Sequence, residues 1–130
     1  MADGQTHLDG ERLRRQVLGD AYVDSNLGSA DAFMSTFQDL VTEQVWGRAL
    51  SGTALDLRTK CLVTLGILAG LGRFHEVGIY TNAALRCGAT VDEIKDVVVH
   101  VTAYGGAPAG RQAFQAVHEA LLEAGALGSR

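Results

Sequence analysis

Cysteine, proline and aromatic side chains are all scarce in this chain of 130 residues, which holds two Cys, one Pro and 6% aromatics. Two cysteines, Cys61 and Cys87, are too few for a disulfide scaffold and show no C-x-x-C spacing. Each falls on an apolar helical stripe, which predicts small core residues in a reducing compartment. Positive charge is scarce as well. A formal net charge of -4 argues against nucleic acid or an anionic membrane surface as partner, since both need clustered Lys and Arg. The densest basic group, Arg12, Arg14 and Arg15, is interrupted by Leu13 and reads as a solvated helix face. The longest apolar run, "CLVTLGILAGLG", is too short to span a bilayer. "MADGQTHLDGERLRRQ" has no apolar segment of the kind a signal peptide needs. The expectation is a cytoplasmic protein with no membrane and no nucleic acid as partner.

What is present is apolar residues at helical spacing, in short blocks punctuated by glycine and turn residues. No low-complexity linker or repeat interrupts them, so residues 1–130 are expected to form one domain, with 1–7 a flexible terminus. The first block runs from Leu8 to Leu18 and stops at Gly19–Asp20. A second spans Ser29 to Trp46, with Phe33, Phe37, Leu40 and Val41 three or four apart. The third, Asp56 to Leu71, begins at a candidate Asp N-cap and is apolar almost all round, so it is expected to be buried at the domain centre or against another subunit. The fourth runs from Phe74 to Cys87 and is closed by Gly88. In the fifth, Thr90 and Glu93 form a capping box ahead of Ile94, Val97, Val98 and Val101. Its β-branched run "VVVHV" leaves a strand open, but the cap and the period predict helix. The last block starts with Pro108 in its first turn and ends at Gly125. The fold class expected is all-α, a bundle of about six helices.

Within the fourth block, Glu76 and Tyr80 are four residues apart and share a helix face above Ala83 and Ala84. A carboxylate beside the apolar Val77 and Ile79 calls for a cation or a donor. The best candidate is Arg58, in the first turn of the preceding block. Such a pair could equally do no more than fix helix packing. His100 lies four residues before Tyr104, while His7, His75 and His118 read as exposed or edge positions. No H-E-x-x-H and no phosphate-binding glycine loop occurs, so neither a metal nor another cofactor is expected. "AYGGAPAG" offers backbone N–H groups and a helix N-terminus to an anion, or is a plain helix–helix turn.

Taken together, "RRQVLGDAYVD", "FQDLVTEQVWG", "LDLRTKCLVTLGILAGLGR" and "EVGIYTNAALRCGATVDEIKDVVVHVTAYGGAPAGRQAF" resemble the carboxymuconolactone decarboxylase family over nearly the whole chain, Leu8 to Glu123. The resemblance implies the all-helical fold shared with alkylhydroperoxidase D and a ring-shaped homo-oligomer, a trimer or a hexamer built from trimers. It implies loss of CO2 from 4-carboxymuconolactone without metal or organic cofactor. That reaction needs a held carboxylate, a site that stabilises the resulting dienolate, and a proton donor. Arg58 matches the family's arginine segment, which reads "RTKCL" here, and Glu76 matches the glutamate of its E-x-x-x-H motif. Tyr104, Gly105 and Pro108 match the pocket-mouth segment, and Trp46 and His100 complete the expected substrate-binding set.

Tyr80 departs from that pattern, because the family's histidine falls at this position. An imidazole titrates near 6.5 and exchanges protons at neutral pH, whereas a phenol titrates near 10 and acts as an acid or a hydrogen-bond donor to an oxyanion. The E-x-x-x-C-x-x-C-x-x-x-H motif of the peroxidase branch is not in the sequence. Three readings follow: a decarboxylase of a small carboxylated lactone or related acid, a divergent cofactor-free tailoring enzyme (isomerase, cyclase or lactone-opening), and a non-catalytic small-molecule-binding oligomer.

Overall fold

A computed structural model describes residues 4–128. Among them are seven α-helices, one π-helical segment and no strand. The chain divides into two compact units, Met1–Leu55 and Asp56–Arg130.

The first unit holds α1 (Gly4–Leu18), α2 (Asp20–Gly28) and α3 (Ala32–Leu40), which runs on into the π-helical segment Val41–Ala49. Helix α1 begins at Gly4 rather than Leu8, so the terminus expected to be flexible is helical over its described part. Gln5 donates to Asp9, and His7 pairs with Glu43 at 3.2 Å instead of being exposed. Residues 1–3 of that expectation lie outside the described residues. Two glycines let α1 approach the π-helical segment: a Cβ at Gly10 would stand 2.0 Å from the Thr42 carbonyl oxygen, and one at Gly47 would stand 2.6 Å from that of Thr6. Arg14, read as part of a solvated face, is instead only 4% exposed and donates to Thr42 Oγ1. Its neighbour Arg15, read as part of the same face, is half-buried and bridges Glu11, Asp20 and Asp24. The sequence reading missed α2, whose mixed composition carries little helical periodicity and whose start depends on Gly19 at φ 88°.

In α3 the apolar stripe behaves unexpectedly. Phe33 is 84% exposed, and Phe37 and Leu40 are also exposed, while Gln38 and Thr42 on the other side are buried. The spacing is helical, but in the single chain the stripe points away from the core.

The second unit contains α4 (Leu57–Gly70), α5 (Phe74–Arg86), α6 (Val91–Gly105) and α7 (Ala107–Glu123). Asp56 caps α4 by accepting from Thr59 N at 2.8 Å. The Thr90–Glu93 capping box starts α6 as expected, which selects helix over strand for "VVVHV". Gly106, at φ 96°, ends α6 and starts α7, and Pro108 occupies the first turn of α7. The core is built from Leu65, Val77, Ala83, Ala84, Ile94, Val98 and Ala113, all fully buried.

Three contacts define helix directions. Only Leu71–Arg73 separate α4 from α5, and the thiols of Cys61 and Cys87 hydrogen-bond across them, so α5 folds back along α4. Helices α4 and α6 run the same way: Arg58 meets Glu93 near their starts, and Gly70 and Gly105 line one groove at their ends. Helix α7 returns along α6, and a Cβ at Gly110 would stand 2.1 Å from Thr102 Oγ1. The third block was expected to be buried at the domain centre or against another subunit. In the single chain Cys61, Leu65 and Ala69 are buried, but Val63, Ile67 and Leu71 are exposed.

Candidate functional site

The candidate residues fall into separate groups. Glu76 lies in the first turn of α5, with Tyr80 one turn on. Their flank continues through Ala83 to Cys87, and Cys87 touches Cys61 of α4, so this flank of α5 is the one turned toward α4. Glu76 is exposed and Tyr80 is half-buried. The Glu76 carboxylate therefore stands in solvent in the single chain, where its charge needs no buried partner.

Arg58 does not pair with Glu76. Its guanidinium donates to Glu93, whose other carboxylate oxygen accepts from Thr90 N in the α6 capping box. The fold-back of α5 gives the physical reason. Cys87 rather than Glu76 lies beside the start of α4, and at 1.5 Å per residue Glu76 is about 16 Å further along the helix. Arg58 and Glu76 of one chain are out of each other's reach. Arg73 holds the place that was expected of Arg58: it immediately precedes α5, is exposed, and has no ion pair among the described residues. Sequence reasoning passed over it because it falls between the third block, which ends at Leu71, and the fourth, which begins at Phe74. Its position one turn before Glu76 was the signal available.

Tyr104 and Gly105 end α6 at the end of the unit where α5 begins. His100 and Tyr104 stack with ring centroids 5.3 Å apart and an interplanar angle of 18°. Both are exposed, Tyr104 at 87%, and they edge an open, mainly apolar groove of about 520 Å³ between α4 and α6, floored by Leu62, Gly66, Val97 and Val101. Pro108 is exposed on the first turn of α7. Trp46 belongs to the first unit, in the π-helical segment, and is only 4% exposed, so its ring offers little surface to a ligand. No cluster of three His, Cys, Asp or Glu side chains among the described residues is placed to hold a metal ion. No described helix is long and apolar enough to cross a membrane.

What the second unit offers chemically is the Glu76 carboxylate and Tyr80 phenol on one flank of α5, the Arg73 guanidinium just before that helix, and the stacked His100–Tyr104 pair in the last turns of α6. A model of the carboxymuconolactone decarboxylase family matches residues 31–119. The chain belongs to that family. Among its relatives is 4-carboxymuconolactone decarboxylase of Acinetobacter baylyi, 32% identical over 125 residues, which covers 96% of this chain and 93% of the relative. Nitrosuccinic acid decarboxylase npaB of Metarhizium robertsii is 36% identical over 100 residues, covering 77% of this chain and 70% of the relative. The matched segment contains every candidate site residue, Trp46 to Pro108, so all of them lie in the part that defines the carboxymuconolactone decarboxylase family.

Proposed function

We propose that the protein is a carboxy-lyase that removes CO2 from a small acid by acid/base chemistry on its own side chains. The observation that carries this reading is that two relatives at 32–36% identity are both named decarboxylases although their acids differ. A carboxylated lactone and a nitro acid share one property. Loss of CO2 leaves an electron pair that an adjacent electron-withdrawing group can draw onto oxygen, as a dienolate or a nitronate. Such a reaction asks the protein for a donor facing the developing oxyanion and for a proton returned to carbon.

Tyr80 supplies the donor in this reading. Its phenol hydrogen-bonds the oxyanion and delivers the proton, and Glu76, one turn before it, orients the phenol or takes up the proton. Arg73 holds a substrate carboxylate at the same end. Tyr104, Gly105, Pro108 and the His100 ring border the entrance, with the apolar groove beside them. Arg58 and Glu93 tie the starts of α4 and α6 together, and Trp46 is a packing residue of its own unit.

The working form in this account is a homo-oligomer. Phe33, Phe37, Leu40, Val63, Ile67 and Leu71 are large apolar side chains left exposed by the single chain, and surface of this kind marks association.

A second reading, a tailoring enzyme of different outcome on the same scaffold, is favoured by Tyr80 itself, a phenol at a position where the family resemblance implies an imidazole. One assay separates the two. Purified protein is given 4-carboxymuconolactone and nitrosuccinic acid, and CO2 is measured, with Glu76→Gln and Tyr80→His in parallel. Release from either acid by the native protein, lost in Glu76→Gln, is the expected result. Release by Tyr80→His alone favours the second reading, and no release by any of the three contradicts the first.

A further inference from the structure

The chain has only two cysteines, distant in sequence, and the fold brings them together. Cys61 lies in the first half of α4 and Cys87 at the C-terminal end of α5, where their thiols hydrogen-bond across the seam between the helices. Cys61 is buried and Cys87 half-buried, and both are thiols in this structure. We propose that Cys61 and Cys87 form a reversible oxidation site that closes a disulfide between α4 and α5 when the protein meets a low-molecular-weight disulfide. This inference is independent of the decarboxylase reading.

The order of events follows from access. Cys87 alone reaches solvent, so its thiolate attacks one sulfur of the small disulfide and expels one small thiol, leaving a mixed disulfide on Cys87. Cys61 then gives up its proton and attacks the Cys87 sulfur, expelling the second small thiol. Two protein thiols are thereby oxidised to one disulfide, and the small disulfide is reduced to two thiols. Burial, reinforced by the neighbouring Cys87, pushes the Cys61 thiol up to about 12. Cys61 is therefore a poor first nucleophile, and it acts only on a sulfur already delivered beside it.

Position gives the bond a consequence. Cys87 ends the same flank of α5 that carries Glu76, Tyr80 and Ala83, so a covalent tie to α4 would hold that flank against its neighbour. A crosslink between helices also restricts the unfolded chain.

The test is incubation of the folded protein in glutathione buffers ranging from fully reduced to fully oxidised, followed by intact mass and peptide mapping. The native chain should lose two hydrogens, yield a Cys61–Cys87 linked peptide, carry no lasting glutathione, and melt at a higher temperature than its reduced form. Cys61→Ser should instead accumulate one glutathione on Cys87, and folded Cys87→Ser should stay unmodified. The proposal is overturned if the native chain keeps a stable glutathione adduct, forms only Cys87–Cys87 linked dimers, or remains a dithiol in fully oxidised glutathione. Mapping the native chain decides the matter even if a serine variant fails to fold.

Discussion

Tyr80 and Glu76 carry the chemistry in this account, and both were readable in the sequence as an i, i+4 pair. Their electrostatic surroundings were not. The pattern around Glu76 suggested a buried carboxylate in search of Arg58, because neighbouring Val77 and Ile79 are apolar. The structure instead turns Val77 into the core and leaves Glu76 in solvent, since adjacent residues on a helix point about 100° apart. Arg58 meets Glu93, a pairing across two helices that no local spacing announces. The two arginines should therefore separate in kinetics. Arg73→Met is expected to raise KM for the acid about tenfold, the loss of roughly 1.4 kcal/mol expected of one exposed charge-assisted hydrogen bond. Arg58→Met should leave KM within about twofold and lower the melting temperature instead. Steady-state kinetics and a thermal melt on both variants check this, and the reverse pattern would restore Arg58 to the substrate.

Caps and glycine stops were the most legible elements. Asp56, the Thr90–Glu93 box, Pro108 and Gly88 all stand where local chemistry put them, because a cap depends on a few consecutive residues and little else. Elements that depend on tertiary contact were less legible. Helix α2 has no marked apolar face, and the π-helical segment exists where α1 presses Gly10 against the Thr42 carbonyl. The Asp56 cap also carries a pH dependence. Hydrogen bonds from the Thr59 side chain and backbone N–H hold its carboxyl below the ordinary value of 3.8. A depressed folded pKa means that the contribution to stability is complete above the unfolded value and is lost as pH falls through the folded one. Thermal melts from pH 6 down to about 2.5 should thus show a steeper acid loss for the native chain than for Asp56→Asn, which keeps the acceptor but does not titrate. Parallel acid limbs would remove Asp56 from the account.

For the molecule as a whole, the all-α class followed from period, caps and composition together, while the division into two units left only a turn-rich loop, "GRALSGTAL", ending at Leu55. No proline- or glycine-rich linker marks Leu55, since the boundary is set by which helices pack together rather than by composition. The stripes of α3 and α4 are apolar, as read, and the single chain leaves them exposed; under the proposed association a second copy covers them. Sedimentation equilibrium should give a trimer or hexamer, and Phe33→Glu should shift it to smaller species; a monomeric native protein would contradict the association proposed. Under the proposed function, the phenol of Tyr80 performs the acid step. The most direct test is kcat for Tyr80→Phe on whichever acid releases CO2, since the variant keeps the ring and removes only the hydroxyl. A fall of about 10²–10⁴-fold with KM little changed is the predicted result, as for loss of a general acid. A Tyr80→Phe enzyme with native kcat would contradict it.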